Sequence, residues 1–439
     1  MWVEIALILA FLAFFVFLIL KMPFFGRLGF SRRWILLFFV LKLLVSAGVV
    51  GVYKHYYDPQ TSDMYNYYKG GKVIWSSLRD NPADYFRMVS GIGGDAPHLH
   101  RYYDAANHWY KPFNYGLFND NRTMMRYNAV LNLFTLGSFA GNLVITVFLT
   151  FLGLCYLARA LGELVTQRMR MFTLVIMCIP TVLFWSSGLL KESLVMMSLG
   201  VFLFHWIRFT QEYRIKNLLP ALIFAALLVL AKFYIFVALL PAIVFLLFPV
   251  RWTYLKQTLA MFSVLLIMLV LFFNSKHIVG VDFAKVMSEK QTDFVKFVNL
   301  QPRSGSSISL PAFEPTPSSM AEKLPGAYFN SFMRPHLFEA SSAMPLLAAL
   351  ENAMLLLLIV LMIVRFRKPL PEEFRLILFS MSFVLILFAL IGLTTPNLGA
   401  LVRYKMPALP FLVVSVLLCT KSVTFKKLGL PIFLTGRKR

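Results

Sequence analysis

Uninterrupted apolar stretches of about 20 residues recur along this chain and constrain its fold most, because a helix of that length crosses a bilayer. Their residues do not alternate between apolar and polar as in the strands of a membrane β-barrel. Of the 439 residues, 59% are hydrophobic and 14% are charged, and the mean hydropathy of +0.71 is too high for a soluble protein. A helix satisfies its own backbone polar groups in hydrocarbon. The sequence therefore predicts an all-α polytopic membrane protein.

The stretches predict about eleven transmembrane helices within a single integral membrane domain, residues 1–439. Several stretches are shorter than a straight span requires, so the pairs within 171–207 and 218–250 have an alternative interpretation. Each pair is either two spans or one broken or re-entrant unit. The predicted spans are 2–21, 34–53, 138–158, 171–186, 192–207, 218–231, 233–250, 257–273, 341–364, 376–392 and 407–420.

The formal charge of +23 is distributed unevenly, and its distribution predicts the orientation. With the loop around Arg32 placed in the cytoplasm, 22 of the 43 basic residues fall in short loops and a tail on that one side. This is the positive-inside pattern, so the charge does not indicate a nucleic-acid partner. We expect an outside N-terminus, a cytoplasmic C-terminus and contact with membrane lipid, in a bacterial inner membrane.

Two long segments, 54–128 and 274–340, are predicted to lie outside as loops. They hold 16 basic and 13 acidic residues, which is close to neutral. The first is rich in Tyr and Trp, which suit either the membrane interface or the faces of sugar rings, and contains a helix-compatible piece at 65–79. The second contains a Ser/Pro-rich stretch at 301–319, which predicts a flexible segment or a lid that orders over a substrate.

Four cations stand at the outer ends of predicted spans, where the charge rule does not require them: Lys191, Lys232, Arg403 and Lys405. Guanidinium and ammonium groups suit phosphate or pyrophosphate oxygens. The alternative is ordinary contact with lipid headgroups, and for Lys191 a simple interfacial hairpin.

Asp58 and Asp63 follow the second predicted span directly. A carboxylate at this level can act as a general base or hold a divalent cation. Alternatively, Ser62 or Asp63 only caps the helix that begins there.

The sequence leaves a metal requirement open. The cluster Asp95, His98, His100, Asp104 and His108 has a spacing that permits metal binding, but it contains no HExxH or other ligand motif. The chain also has no P-loop, no dinucleotide-binding fingerprint and no GxSxG, which argues against ATP-driven transport and serine hydrolase chemistry.

The motif Asp63-x-Tyr65-x-x-Tyr68-x-Gly70 after an early span resembles the first outer loop of GT-C-type membrane glycosyltransferases. Segment 180–192, which ends in Lys191-Glu192, is similar to a segment of bacterial polysaccharide-assembly membrane proteins of that broad type. Segments 230–234 and 397–407 resemble later outer turns of such proteins. The chain departs from the pattern by one extra span before the loop and by the lack of a DxD or ExD pair.

The resemblance implies transfer of a sugar from a polyprenyl-phosphate donor to a glycan or protein acceptor at the outer face, in cell-surface glycan assembly. It implies a catalytic role for Asp63, with Asp58 as the second candidate, and phosphate contacts at the four cations named above. The supporting residues that it implies are Tyr65, Tyr68, Glu192 and Tyr404.

Two other functions stay open at this point. A repeat-unit polymerase that joins lipid-pyrophosphate oligosaccharides would use the same residues. A transporter or flippase of lipid-linked substrates predicts ionisable residues deep within spans, and Lys42 and Glu351 are the main candidates.

Overall fold

The computed structural model describes residues 2–57, 62–106, 108–110, 119–249, 252–299, 306–340 and 342–421. Within these ranges the regular structure is helical, and the only β-type pairings are two isolated bridges. The twenty α-helices are α1 Trp2–Lys21, α2 Pro23–Gly26, α3 Arg32–His55, α4 Asp63–Asp80, α5 Pro82–Ser90, α6 His100–Ala105, α7 Asp120–Thr135, α8 Phe139–Leu164, α9 Met169–Cys178, α10 Pro180–Trp185, α11 Lys191–Glu212, α12 Ile215–Phe245, α13 Tyr254–Phe273, α14 Ser275–Val279, α15 Phe283–Asn299, α16 Pro317–Met333, α17 Ala343–Val364, α18 Pro371–Thr394, α19 Leu398–Lys405 and α20 Leu409–Leu418.

Nine helices in the described ranges are long and apolar enough to cross a membrane: α1, α3, α8, α11, α12, α13, α17, α18 and the continuous run Leu398–Leu418. The chain is therefore a helical membrane protein, as its hydropathy predicts. The nine candidates differ from the eleven predicted spans at 171–186 and at 218–250, the regions where the sequence leaves broken units open.

The stretch predicted as span 171–186 is divided into α9 and α10 by an extended residue, Ile179, which precedes Pro180. Proline disfavours helical backbone in the residue before it and lacks the N–H that would continue the ladder. Neither half is long enough to cross a bilayer alone.

The stretch predicted as two spans, 218–231 and 233–250, forms the 31-residue α12, which is non-helical at one residue, Lys232 (φ −157°, ψ 92°). The break falls where the sequence predicts a turn. Neither glycine nor proline occupies the position, so tertiary contacts hold the break. The Thr123 hydroxyl donates to the carbonyl oxygen of Leu230 at 3.0 Å, and Lys232 pairs with Glu192.

The chain divides into two compact units. The first comprises 1–160, 183–205 and 215–233, and the second comprises 161–182, 206–214 and 234–439.

In the first unit, α4 and α7 pack closely and in parallel. Residues later in α4 contact residues later along α7 and the turn after it, which shows that the chains run in the same direction. The contacts are Tyr67 with Asn121, Gly71 with Asn128 and Ala129, and Trp75 with Gly137. A methyl group on Gly71 would overlap Asn128, so only glycine permits this approach. The described residues of segment 54–128, predicted as a loop between spans, are thus largely helical from Asp63 onward, because the apolar face of α4 has a partner helix.

In the second unit, α16 packs on α18, where Ser331 donates to the carbonyl oxygen of Phe388 at 2.7 Å. The described part of the Ser/Pro-rich stretch is fixed to the chain before α19. The backbone N–H of Ile308 donates to Pro396, and that of Leu398 donates to Ser306, at 2.7 and 2.8 Å. Ser306 and Ile308 are held by these backbone hydrogen bonds. The flexible segment or lid expected for the stretch stays a prediction, and residues 301–305 lie outside the described ranges.

Candidate functional site

The first residue of α11, Lys191, forms an ion pair with the first residue of α7, Asp120. The Lys191 Nζ to Asp120 Oδ2 distance is 2.8 Å, and the two side chains are 11% and 23% exposed. The ammonium group also lies over the ring of Tyr67, 5.4 Å from its centroid. The Tyr67 hydroxyl donates to Asn121 Oδ1 at 3.2 Å, which fixes the ring beneath the lysine.

Asp63 begins α4, one helical turn before Tyr67, so the two residues share a face of the helix. The side chain of Asp63 is partly exposed. Its N-cap residue, Ser62, makes no capping hydrogen bond through its side chain. Because α4 and α7 are parallel, the helical starts with Asp63 and Asp120 lie at the same end of the pair. Asp58 lies outside the described residues.

The predicted supporting residues Tyr65 and Tyr68 make their contacts elsewhere in the first unit. The Tyr68 hydroxyl donates to the carbonyl oxygen of Gly137 at 2.6 Å, and both rings contact Phe139. Burial, aided by the charge of Glu4, raises the pKa of Tyr68. These tyrosines therefore fix α4 to the start of α8, whereas Tyr67 contacts the Lys191 pair.

The second residue of α11, Glu192, accepts a hydrogen bond from Lys232 at the break of α12. The distance from Lys232 Nζ to Glu192 Oε1 is 2.5 Å, and the side chains of Lys232 and Glu192 are 5% and 1% exposed. Lys191 and Lys232, both predicted phosphate contacts, thus each pair with a carboxylate. They differ in access, because solvent reaches the first pair and hardly reaches the second.

The other two predicted phosphate contacts, Arg403 and Lys405, belong to the second unit. Lys405 is 2% exposed and donates to Asn352 Oδ1 at 2.7 Å and to the carbonyl oxygens of Arg334 and Ser331 at 3.2 and 3.4 Å. These acceptors match the three donors of an ammonium group. The geometry therefore favours a role for Lys405 in packing α16, α17 and α19 together.

The predicted supporting residue Tyr404 lies near a second aromatic ring in the same unit. Its ring centroid is 6.1 Å from that of Tyr234, and the ammonium group of Lys290 lies 4.9 Å from the Tyr234 centroid. Aromatic faces flanked by a cation suit a sugar ring or a cationic partner.

The candidate metal ligands of segment 95–108 contact other side chains instead of one another. His98 donates to Asp84, His100 bonds the Tyr110 hydroxyl at 3.0 Å, and Asp95 lies 3.9 Å from Arg122. Asp104 is exposed. Within the described ranges no group of three or more His, Cys, Asp or Glu residues has the arrangement of a metal site.

Lys42 and Glu351, the two ionisable residues expected deep within spans, lie at opposite ends of the short helix α10. In the first unit, Lys42 donates to the carbonyl oxygen of Ser186 at 2.8 Å and to the Ser186 and Ser187 hydroxyls at 2.7 and 3.0 Å. In the second unit, Glu351 accepts from the N–H and hydroxyl of Thr181 at 2.7 and 2.8 Å. An anion at the N-terminus and a cation at the C-terminus match the helix dipole.

We expect Lys42→Met and Glu351→Leu each to lower the free energy of unfolding by about 2 kcal/mol, because each removes a charged cap from buried polar groups. Glu351→Gln keeps an oxygen acceptor for Thr181 and is expected to lose less. Thermal unfolding in detergent micelles measures the three effects. Equal losses for Glu351→Gln and Glu351→Leu would contradict the capping role.

A pH-sensitive contact fixes α5 within segment 54–128. The hydrogen bond from His98 Nε2 to Asp84 Oδ1, at 2.9 Å, lowers the pKa of Asp84; burial opposes this shift, and the charges of Arg87 and Arg101 add to it. The contact therefore stabilises the fold above the unfolded pKa of about 4 and is lost as pH falls below it. We expect the hydrogen-exchange protection factors of α5, which are corrected for the intrinsic slowing of exchange at low pH, to decrease between pH 5 and pH 3 in the wild type. Asp84→Asn should remove most of that pH dependence.

Sequence patterns did not single out Asp120, Asn352 or Lys290, although each contacts a residue of interest. Asp120 carries the clearest signal, because Asn119 and Asp120 stand at the start of a helical pattern. Asn is a typical N-cap residue, and Asp is a typical acid of the first turn. Asn352 and Lys290 lie on ordinary helix faces and carry no local signal.

No protein-family model, curated protein or solved structure matches this chain.

Proposed function

We propose that this protein is a membrane glycosyltransferase that transfers a sugar from a polyprenyl-phosphate donor to a glycan or protein acceptor at the outer membrane face. The observation that carries the proposal is the Lys191–Asp120 ion pair beside Tyr67 in the first unit, with Asp63 at the start of α4, one helical turn before Tyr67. This arrangement supplies carboxylates and a cation, which are the groups that such a transfer requires.

The chemistry assigns each group one task. Asp63 accepts the proton of the acceptor hydroxyl as its oxygen bonds to the anomeric carbon. The bond from that carbon to the phosphate oxygen breaks, and its electron pair leaves with the lipid phosphate. Lys191 stabilises the negative charge that develops there. Lys232, buried with Glu192, holds the break of α12 beside the start of α11 and does not reach the phosphate.

The setting of the proposed reaction follows from the charge pattern. The 22 basic residues of the short loops and tail favour a cytoplasmic location for those segments, with the N-terminus outside. The helices with Asp63 and Asp120 then lie on the outer side of a bacterial inner membrane, where a lipid-linked sugar meets a cell-surface acceptor. A C-terminal reporter fusion that is active only outside the cytoplasm would contradict this orientation.

The test is to supply two labelled donors to the purified protein in lipid nanodiscs. Sugar transferred from a polyprenyl-phosphate monosaccharide supports the proposed transferase. Product formed only from a complete lipid-pyrophosphate repeat unit would instead indicate a polymerase. If neither donor yields product with mixed glycan and peptide acceptors, the proposal fails.

A lipid-linked-substrate flippase is the second candidate, and one observation favours it: the interruption of α12 at Lys232 beside a buried carboxylate. Discontinuous helices with buried charges are common at transport sites. The cap contacts of Lys42 and Glu351 argue against it, because they give those residues a structural task. Movement of a fluorescent lipid-linked sugar across proteoliposomes without chemical change would favour the flippase.

A further inference from the structure

Solvent access distinguishes the Lys191–Asp120 pair from the Lys232–Glu192 pair. The Lys232–Glu192 pair is 5% and 1% exposed, and breaking such a pair leaves an uncompensated buried charge. The Lys191–Asp120 pair is 11% and 23% exposed, so an incoming anion can reach its ammonium group. Exchange of partners is therefore feasible at Lys191 and costly at Lys232.

The structure also stabilises both members of the Lys191 pair when they separate. Asp120 is the first residue of the 16-residue α7, and the helix dipole stabilises a carboxylate at that position. The ammonium group of Lys191 keeps the face of Tyr67 beneath it, and Asn121 fixes that ring. Neither group depends on the other alone for its position.

From this geometry we infer that Asp120 is a positioning residue that competes with the donor phosphate for Lys191. This inference rests on the proposed function and deepens it. The carboxylate holds Lys191 before the donor binds, yields it to the phosphate monoester, and recaptures it as the product phosphate leaves. The exchange rearranges ion pairs and forms no covalent bond. Competition from Asp120 therefore makes donor binding weaker and product release faster than they would be without this carboxylate.

Binding of farnesyl phosphate, a phosphate monoester with a short isoprenoid chain, tests the inference on the full-length protein in nanodiscs. Asp120→Asn removes the competing charge at nearly constant shape, so we expect about tenfold tighter binding. Asp120→Glu retains a carboxylate and should bind as the wild type does. Lys191→Met should weaken binding of farnesyl phosphate. The double variant Lys191→Met/Asp120→Asn should bind it no more tightly than Lys191→Met alone.

Two controls separate the exchange from general effects. Glu289→Gln removes a carboxylate from the exposed Lys285–Glu289 pair and makes the same change in net charge, so it should leave binding unchanged. Inorganic phosphate tests the headgroup alone. If Asp120→Asn binds both ligands more tightly than the wild type, the phosphate group is what the site recognises. If only farnesyl phosphate binds more tightly, the site recognises the lipid monoester. Either result supports the competition.

In the transfer assay, Asp120→Asn should lower the donor KM and increase inhibition by the lipid phosphate product, without raising kcat. A purely structural role for Asp120 would not lower the donor KM and strengthen product inhibition while leaving kcat no higher. If the wild type binds farnesyl phosphate and Asp120→Asn binds no more tightly, the competition is overturned while the proposed function stands. If neither binds, both are overturned.

Discussion

Replacing Lys232 by methionine is expected to destabilise the protein by about 3–5 kcal/mol, because it leaves the Glu192 carboxylate buried without its cation. Glu192 is 1% exposed and accepts from Lys232 at 2.5 Å. The same substitution removes a side-chain contact that holds the break in α12, where neither glycine nor proline fixes the backbone. Thermal unfolding in detergent micelles, followed by far-UV circular dichroism, measures the loss.

Lys285→Met is the matched control, because Lys285 pairs with Glu289 at 3.8 Å on an exposed helix face. Surface pairs of this kind contribute about 0–1 kcal/mol, so the control should unfold nearly as the wild type does. The double variant Lys232→Met/Glu192→Leu removes both buried charges and should recover part of the stability. A loss below about 1 kcal/mol for Lys232→Met would contradict the buried-pair interpretation.

The fold was predictable where hydropathy or proline determines it. Apolar stretches identify the long helices, and Pro180 explains why the stretch 171–186 is divided. The break at Lys232 was predicted as a turn between spans, but its geometry was not, because it depends on Glu192 and Thr123 from other helices. Local sequence does not encode such contacts.

The packing of α4 on α7 in segment 54–128 shows the same limit of local sequence. The spacing of residues 65–79 predicts a helix, and the structure extends it to Asp63–Asp80. The close approach at Gly71 requires a particular partner, Asn128, which lies 57 positions later in the chain. The local sequence therefore predicts the helix but not the surface that it covers.

For the candidate site, the cations were predictable and their partners were not. Lys191 and Lys232 stand out because charges at the ends of apolar spans are rare. Their partners Asp120 and Glu192 are acids at helix starts, where capping is a sufficient explanation for an acidic residue. Pairing these charges changes the chemistry expected under the proposed function. A donor phosphate would have to compete with Asp120 at Lys191, and burial would exclude it from Lys232.

Replacing Asp63 by asparagine is expected to reduce sugar transfer by about 10²–10⁴-fold, the usual contribution of a general base. Asparagine keeps the size of the side chain but does not accept a proton. As a first-turn residue of α4, Asp63 contributes at most about 1 kcal/mol through the helix dipole, so the variant should still fold and enter the membrane. The initial rate of labelled-sugar transfer in nanodiscs measures the effect.

Asp80→Asn is the matched control, because Asp80 ends the same helix and can still accept from Tyr102 after the change. Asp63→Glu keeps a carboxylate one methylene farther from the helix and should retain more activity than Asp63→Asn. A capping role alone would lower stability slightly and leave transfer intact, whereas a catalytic base is required for turnover. Full transfer by a stable Asp63→Asn variant would therefore remove Asp63 from the chemistry and leave it as a first-turn acid of α4.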